Sequence, residues 1–187
     1  MCICKNKQSL DIEKTKAELK RGLEQDYFIS GREWPYKNVP RKIICEKYME
    51  DSASQDLPDY KVHSFNGTPK VILVCRDRFK KSGLTEDFFS DKWEHLPVCR
   101  SEHPNAKQAI ERPKELDLML SLTEEITKDF PFARVDFYTI NHKLYFGEVT
   151  FYPASGFEKF IPEKFDEQMG EWIRLPENGG GGIFIID

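Results

Sequence analysis

The chain lacks the long apolar run that a membrane span requires. Nowhere in its 187 residues does the apolar stretch of about 20 residues occur that crosses a bilayer as a helix. The first residues also lack the apolar centre of a secretory signal peptide. We therefore expect a cytoplasmic protein without a membrane span.

An excess of positive charge and a paired cysteine spacing are also missing. The net charge is −4 and the isoelectric point is near 5.7, whereas nucleic-acid-binding domains usually carry a basic patch. We therefore expect no nucleic-acid partner. The five cysteines are an odd number without a repeated spacing, which disfavours a zinc site. Cys45 and Cys75 lie within apolar runs, where we predict buried thiols in a reducing compartment.

The composition is that of an ordinary folded domain. Aromatic residues make up 13% of the chain, which argues against disorder. The length suits one domain with a core of its own, which we place at residues 1–176. Residues 177–187 contain four consecutive glycines and then an apolar stretch, and they are predicted to form a flexible tether with an apolar tail.

Residues 132–151 have the pattern of a β-hairpin with a polar turn. Side chains alternate along a strand, so a three-residue loop that pairs Asp136 with Glu148 also sets Arg134 opposite Thr150 on the same face. Two opposed carboxylates repel each other unless a positive group lies between them. Mg²⁺ shared with substrate phosphates would satisfy them, and so would Arg134 on a solvated surface. This segment alone leaves both interpretations open.

A second hairpin is predicted at residues 59–76, where Asn66-Gly67 is typical of a type I′ turn. A two-residue loop pairs Phe65 with Thr68, and continued pairing sets Lys61 opposite Ile72 and Asp59 opposite Val74. The polar face then carries Asp59, Lys61, His63, Lys70 and Arg76. The opposite face is expected to pack on the core with Tyr60, Val62, Val71, Leu73 and Cys75.

The remaining segments indicate helices and one further strand. Ser9 is predicted to cap a first helix, and residues 42–48 to form a buried strand. Pro113 opens a helix that reaches about Lys128, and Pro162 opens a last one. Two hairpins flanked by helices indicate an α+β sandwich with antiparallel sheets that holds a nucleotide.

Four segments together resemble the ATP-grasp superfamily, and most closely its TupA-like branch, named for teichuronopeptide biosynthesis. They are Gly31-Arg-Glu-Trp-Pro-Tyr-Lys, Ile43-Ile-Cys-Glu-Lys-Tyr-Met-Glu-Asp, Asp59-Tyr-Lys-Val-His-Ser-Phe-Asn-Gly, and Phe132-Ala-Arg-Val-Asp-Phe-Tyr continued by Phe146-Gly-Glu-Val-Thr-Phe-Tyr-Pro-Ala-Ser-Gly-Phe. Their order and spacing resemble the family over about residues 3–175. The fold that this implies is an ATP-grasp-like α+β domain, here lacking the N-terminal domain and the Gly-rich loop with its phosphate-binding lysine.

The resemblance implies a nucleotide site built from several segments. Adenine would be held at Glu46, Lys47, Tyr48 and Met49. Asp59 would accept from the ribose hydroxyls, and Lys61 would contact phosphate. Arg76 and Arg78 are less closely matched phosphate candidates, because charged residues on a hairpin face are usually plain surface.

The resemblance also implies roles for the hairpin at 132–151. Asp136 and Glu148 match the two acidic Mg²⁺ ligands of the family, and Thr150 stands where many members have an asparagine ligand. Arg134 matches the arginine that neutralises the phosphate being transferred. The implied activity is an ATP- and Mg²⁺-dependent carboxylate–amine ligase that proceeds through an acyl phosphate, with a carboxylate-bearing substrate from cell-envelope polysaccharide biosynthesis.

Two alternatives stay open. Because the chain starts after the expected phosphate-binding loop, it is expected to be a fragment, to work with a separate chain that supplies the missing half, or to be a non-catalytic nucleotide-binding or partner-binding remnant. A glycosyltransferase is the other alternative, since gene products of polysaccharide synthesis often belong to that class. Metal-dependent glycosyltransferases commonly show an Asp-x-Asp triplet, which this sequence does not contain.

Overall fold

The computed structural model describes residues 2–49, 57–78, 80 and 83–175. Its helices are α1 (Ile12–Glu24), α2 (Tyr27–Gly31), α3 (Leu116–Thr127) and α4 (Lys164–Trp172). Its strands are β1 (Asp59–Phe65), β2 (Thr68–Arg76), β3 (Thr85–Ser90), β4 (His95–Leu96), β5 (Cys99–Arg100), β6 (Phe132–Ile140), β7 (Lys143–Thr150) and β8 (Phe160–Ile161). The predicted tether and tail at 177–187 lie outside the described residues.

One antiparallel sheet in the order β4-β3-β2-β1-β6-β7 organises the domain, and β5 and β8 form a separate two-stranded ribbon. One side of the sheet packs against α3 and is called the α3 face. The other side packs against the β5–β8 ribbon and α4 and is called the ribbon face. The predicted α+β class with antiparallel strands and flanking helices is confirmed.

Helix α3 covers the sheet with the face that its sequence predicts. Leu116, Met119 and Thr123 are fully buried and pack over side chains of the central strands, namely Tyr60, Val62, Ile72, Val74, Val135 and Phe137. Across the sheet, the ribbon face buries Val71, Leu73, Cys75 and Phe88 against Val98, Phe160 and Phe165. Strand β2 is therefore apolar on both faces, which is typical of a central strand covered on two sides.

The turn of the β1–β2 hairpin matches the prediction, but the register beyond it does not. Asn66 and Gly67 have φ of 51° and 77°, as a type I′ turn requires, and Phe65 pairs with Thr68. After Ser64 pairs with Pro69, the register shifts by one residue, with Lys70 as the extra residue of a β-bulge. Pro69 has no N–H to donate to the ladder, and bulges are where a strand accommodates proline.

This bulge overturns the predicted division of faces. Lys61 pairs with Leu73 rather than Ile72, and Asp59 pairs with Cys75 rather than Val74. The prediction set Val71, Leu73 and Cys75 on the same core-packing face as Tyr60. In the structure these three residues lie on the ribbon face, together with Asp59, Lys61 and His63.

The β6–β7 hairpin also differs from the prediction at its turn. The loop has two residues, Asn141 and His142, both with positive φ, rather than three. The pairing shifts where Gly147 and Glu148 together oppose Asp136, which is a second β-bulge. A Cβ at position 147 would lie 3.0 Å from the backbone oxygen of Asp136, so glycine permits this close approach. The bulge restores the predicted pairing of Arg134 with Thr150.

The predicted buried strand at residues 42–48 is wrong. These residues form no strand and are exposed, with Ile44 80% exposed. Cys45 is accordingly exposed, whereas Cys75 is buried as predicted. A short apolar run becomes a strand only where a partner strand and a core surface are available, and in the described part of the chain this segment has neither.

The first helix is capped differently from the prediction. Asp11, not Ser9, is the N-cap of α1, and its carboxylate accepts a hydrogen bond of 2.9 Å from the backbone N–H of Lys14. Ser9 instead ends a short 3₁₀ turn that begins at Lys7. None of the helices in the described part of the chain is both long and apolar enough to cross a membrane.

Gly67 offers a test of how the turn packs. Its φ is +77°, and an added Cβ would lie 2.9 Å from the Cα of Lys128 at the end of α3. We expect Gly67→Ala to lower the free energy of unfolding by about 1–3 kcal/mol. Urea unfolding followed by circular dichroism measures this difference.

Gly170 provides the matched control because it lies within α4 and an added Cβ there would meet nothing within 4 Å. Gly170→Ala should leave stability unchanged or raise it by up to about 1 kcal/mol. Equal stability of Gly67→Ala and the parent chain would contradict the proposed clash.

Candidate functional site

Charged side chains cluster on the ribbon face where β1, β6 and β7 lie side by side. The β1–β6 register sets Lys61 opposite Asp136 and His63 opposite Arg134. The β6–β7 register adds Thr150 opposite Arg134. We call this set the ionic cluster, and it comprises Asp59, Lys61, Arg78, Arg134, Asp136, Glu148 and Thr150.

Asp136 is the most buried member of the ionic cluster, at 1% exposure. Its carboxylate accepts from Lys61 Nζ, and it accepts 2.7 and 2.9 Å hydrogen bonds from Arg134 Nε and Nη2. Lys61 Nζ also lies 2.7 Å from Asp59 Oδ2. The lysine therefore bridges two carboxylates, and the arginine grips one of them with two parallel donors.

Arg134 joins the two predicted metal ligands at one point. Besides its bonds to Asp136, its Nη2 lies 3.3 Å from Glu148 Oε1 and 3.1 Å from Thr150 Oγ1. Thr150 Oγ1 in turn lies 3.1 Å from Glu148 Oε1. The carboxylates of Asp136 and Glu148 thus approach a common cation on one face of the hairpin, as the sequence predicts.

Burial and charge shift the pKa values of these groups. Burial favours the neutral form of Lys61, but the charges of Asp136 and Asp59 outweigh it and raise the lysine pKa above its ordinary value. The pKa of Arg134 is raised in the same way, by its hydrogen bonds to Asp136 and the carboxylate charge, against burial. Burial raises the pKa of Asp59, and neighbouring Lys61 only partly offsets this.

His63 is a buried neutral group beside the charges. Burial, and next the charge of Arg134, lower its pKa from 6.5 to about 3. Its Nδ1 has no hydrogen-bond partner within the described residues, and its ring packs 6.2 Å from that of Phe132. The sequence placed His63 on the polar face but gave no sign that the imidazole is enclosed there.

The structure separates some predicted site residues from this cluster. Arg76 follows Cys75 and therefore alternates to the α3 face, away from Asp59 and Lys61. Arg78 reaches the cluster loosely, with its Nη2 3.5 Å from Asp59 Oδ2 and its side chain 52% exposed.

The four predicted adenine contacts lie outside the sheet. Glu46, Lys47 and Tyr48 are exposed, and Met49 is half-buried. A cavity of about 950 Å³ between α1 and residues 36–44 includes Lys42 and Ile44 in its lining but none of the four. It also contains no member of the ionic cluster.

Glu158 and Glu33 belong near the site, and sequence reasoning missed both. Glu158 Oε1 lies 3.0 Å from Arg100 Nη1, and burial raises its pKa although Arg100 and Arg134 oppose the shift. Glu33 is only 5% exposed and lines a cleft of about 470 Å³ that Arg134, Glu148 and Thr150 also line. Glu33 lies in the motif at residues 31–37, which was a signal for its segment but not for its role, and Glu158 lies in no periodic pattern.

The chemistry of the donor set suits a hard cation in part. Asp136 and Glu148 supply carboxylate oxygens that both contact Arg134, and Thr150 adds a hydroxyl. Among the described residues, no group of three or more His, Cys, Asp or Glu is arranged to hold a metal. A Mg²⁺ ion held here would therefore have to take most of its ligands from phosphate and water, and Arg134 would have to give up part of its contact with the carboxylates.

Comparison with known proteins identifies a family. A family model described as TupA-like ATPgrasp matches residues 1–174, which is most of the chain. The same comparison finds no curated protein and no solved structure that matches the chain.

The low pKa of His63 makes the free energy of unfolding depend on pH. The unfolded chain binds a proton near pH 6.5, but the folded chain does so only near pH 3, so stability falls as the pH falls between these values. We expect the parent chain to lose about 2 kcal/mol more than His63→Gln between pH 7 and pH 5. Urea unfolding at both pH values measures this, and equal losses would contradict a buried neutral imidazole.

Lys61 and Arg78 allow a test of the buried ion pairs. The Lys61 side chain is 13% exposed and contacts two carboxylates, whereas Arg78 is 52% exposed. Lys61→Met should cost about 3 kcal/mol of unfolding free energy because it leaves Asp59 without its close cation. Arg78→Met should cost less than about 1 kcal/mol. Similar losses in the two variants, measured by urea unfolding, would argue against this difference.

Proposed function

The chain belongs to the TupA-like ATP-grasp family, and we propose that it acts as an ATP- and Mg²⁺-dependent carboxylate–amine ligase in the synthesis of a cell-surface polymer. The observation that supports this most directly is the convergence of Asp136 and Glu148 on Arg134 at one face of the β6–β7 hairpin. Cationic groups, and a metal ion that carboxylates would hold, can position and neutralise phosphate from rigid strands, and phosphoryl transfer requires little more from a protein.

The proposed reaction has two steps. The substrate carboxylate attacks the γ-phosphorus of ATP, the bond from that phosphorus to the β–γ bridging oxygen breaks, and ADP leaves. The amine nitrogen then attacks the carbonyl carbon of the acyl phosphate. The C–N bond forms as the C–O bond breaks, inorganic phosphate leaves with the electron pair, and the nitrogen releases its surplus protons to solvent.

Each residue of the ionic cluster has a proposed task. Asp136 and Glu148 would hold Mg²⁺, with Thr150 as a weaker oxygen donor, and the ion when bound would neutralise phosphate charge. Arg134 donates to the transferred phosphoryl group, and Lys61, kept charged by its two carboxylates, contacts the phosphate chain. Asp59 accepts from the ribose. Adenine contact by Glu46–Met49 belongs to the same proposal.

A second candidate function is a nucleotide-binding or partner-binding module without catalysis. It is favoured by the charge balance of the ionic cluster, in which Asp59, Asp136 and Glu148 are opposed by Lys61, Arg78 and Arg134. A cluster that neutralises itself is stable without a ligand. Absence of nucleotide binding would leave the partner-binding module, whereas release of ADP from ATP during turnover would distinguish the ligase from a nucleotide-binding module without catalysis.

Glu148→Gln is the variant that tests the metal assignment with least risk to the fold. The Glu148 side chain is 65% exposed, whereas Asp136 is buried between two cations, and its loss would also destabilise the sheet. We expect Glu148→Gln to weaken Mg²⁺-dependent binding of the ATP analogue AMP-PNP at least about tenfold, since one of two carboxylate ligands is lost. Isothermal titration calorimetry with and without Mg²⁺ provides the measurement.

Glu124→Gln is the matched control, because Glu124 is exposed on α3, which packs against the opposite face of the sheet. It should bind AMP-PNP like the parent chain. Unchanged binding by Glu148→Gln would overturn the metal assignment. Absence of AMP-PNP binding to the parent chain under both conditions would favour the partner-binding module over the ligase.

A further inference from the structure

The cleft of about 470 Å³ beside the ionic cluster has an unusual wall of aromatic and acidic side chains. It runs between the segment at residues 27–36 and the turn that follows β7. At one end it reaches Arg134, Glu148 and Thr150. The rest of its lining includes Tyr27, Glu33, Tyr36, Tyr152 and Ser155. We call it the tyrosine cleft.

Glu33 is the buried charge of this cleft. Its Oε1 accepts a 2.8 Å hydrogen bond from Ser155 Oγ and a 3.5 Å hydrogen bond from the hydroxyl of Tyr27. Within the described part of the chain, no lysine or arginine forms an ion pair with it, although it is 5% exposed. Burying a carboxylate without a cation is costly, so the site is suited to receiving one.

The local geometry holds Glu33 in place rather than leaving it on a mobile loop. A Cβ at Gly31 would lie 2.6 Å from Ser155 Oγ and 2.8 Å from Glu33 Oε1, so glycine permits the two segments to meet. Ser155 itself has a φ of 57°, a backbone conformation that costs energy for a residue with a side chain. The segment at 27–36 and the turn after β7 are thereby joined through Glu33.

The charge of the cleft favours a cationic ligand. Arg134 is already bonded to Asp136, Glu148 and Thr150. The cations of the ionic cluster are matched by its own three carboxylates, so Glu33 leaves one excess negative charge in the cleft. Tyrosine rings attract cations through their faces, and Tyr27 and Tyr36 are packed edge to face with centroids 5.8 Å apart.

We propose that the tyrosine cleft binds the amine substrate, with the ammonium group held against Glu33 beside the tyrosine rings. This inference rests on the proposed ligase function and adds the site and the recognised group of its second substrate. An amine bound in the cleft lies beside Arg134 and Glu148, where the proposed acyl phosphate is formed. Once the ammonium group has released one proton to solvent, the nitrogen has a lone pair with which to attack the carbonyl carbon.

A matched pair of small probes tests this assignment without the natural substrate. Glycinamide carries an ammonium group where glycolamide carries a hydroxyl, and the two are otherwise alike. We expect glycinamide at pH 6.5 to shift the ¹H–¹⁵N signals of residues 27–36 and 153–156 of the full chain, whereas glycolamide leaves them unchanged. Equal effects of the two probes, or no effect of either, would overturn the proposal.

Two variants test whether Glu33 is the residue that contacts the ammonium group of glycinamide. Glu33→Gln should weaken glycinamide binding at least about tenfold because the charge is lost. Ser155→Ala keeps that charge, removes its hydroxyl partner, and should change binding by less than about threefold. If Glu33 serves only to join the two segments, Ser155→Ala and Glu33→Gln will weaken binding alike, which contradicts the proposal.

Tyr152→Leu covers the case in which Glu33→Gln does not fold, because Tyr152 is 47% exposed. It should weaken glycinamide binding about threefold through loss of a ring face, and unchanged binding would count against the aromatic part of the site.

AMP-PNP titration separates the cleft proposal from the ligase proposal. Selective glycinamide binding without nucleotide binding supports the cleft and removes the ligase. Mg²⁺-dependent nucleotide binding without glycinamide selectivity removes the cleft proposal alone.

Discussion

The buried carboxylate of Asp136 is the constraint on which the arrangement of the site depends. At 1% exposure this charge is tolerated only because Lys61 and Arg134 donate to it directly. Both donors must reach the same face of the sheet, so β1 pairs with β6 with Lys61 directly opposite Asp136. One electrostatic requirement thereby links the register of the central strands to the chemistry of the site.

The two β-bulges reconcile that requirement with apolar packing. The bulge at Lys70 brings Val71 and Leu73 to the ribbon face beside Lys61, and the bulge at Gly147 and Glu148 sets both residues against Asp136. Bulges are frequent next to active sites because they redirect side chains without ending a strand. In this chain they keep β2 apolar on both sides while β1, β6 and β7 carry charges on one side.

The ribbon face is consequently divided into an apolar and a charged half. Val98, Phe160 and Phe165 cover the apolar half, and the ionic cluster adjoins it. Apolar surroundings strengthen the interactions of nearby charges because water screens them less. The same surroundings keep His63 neutral, whereas the charges of Asp136 and Asp59 keep Lys61 charged in spite of burial. Apolar packing at this boundary therefore influences the charge state of the neighbouring ionisable side chains.

The sequence by itself determined the features that depend on neighbouring residues. These are the type I′ turn at Asn66-Gly67, the buried face of α3, the shared face of Arg134, Asp136, Glu148 and Thr150, and the motifs of the family. Periodicity, turn chemistry and motif spacing carry that information along the chain.

Only the tertiary structure decided the bulged registers, the exposure of residues 42–48, the separation of Arg76 from Lys61 and the burial of Glu33. Each of these depends on how strands and segments pair and pack or, for residues 42–48, on the lack of such a partner within the described part of the chain. A local pattern leaves such contacts open, because the same residue can lie on either side of a sheet after a shift of one position.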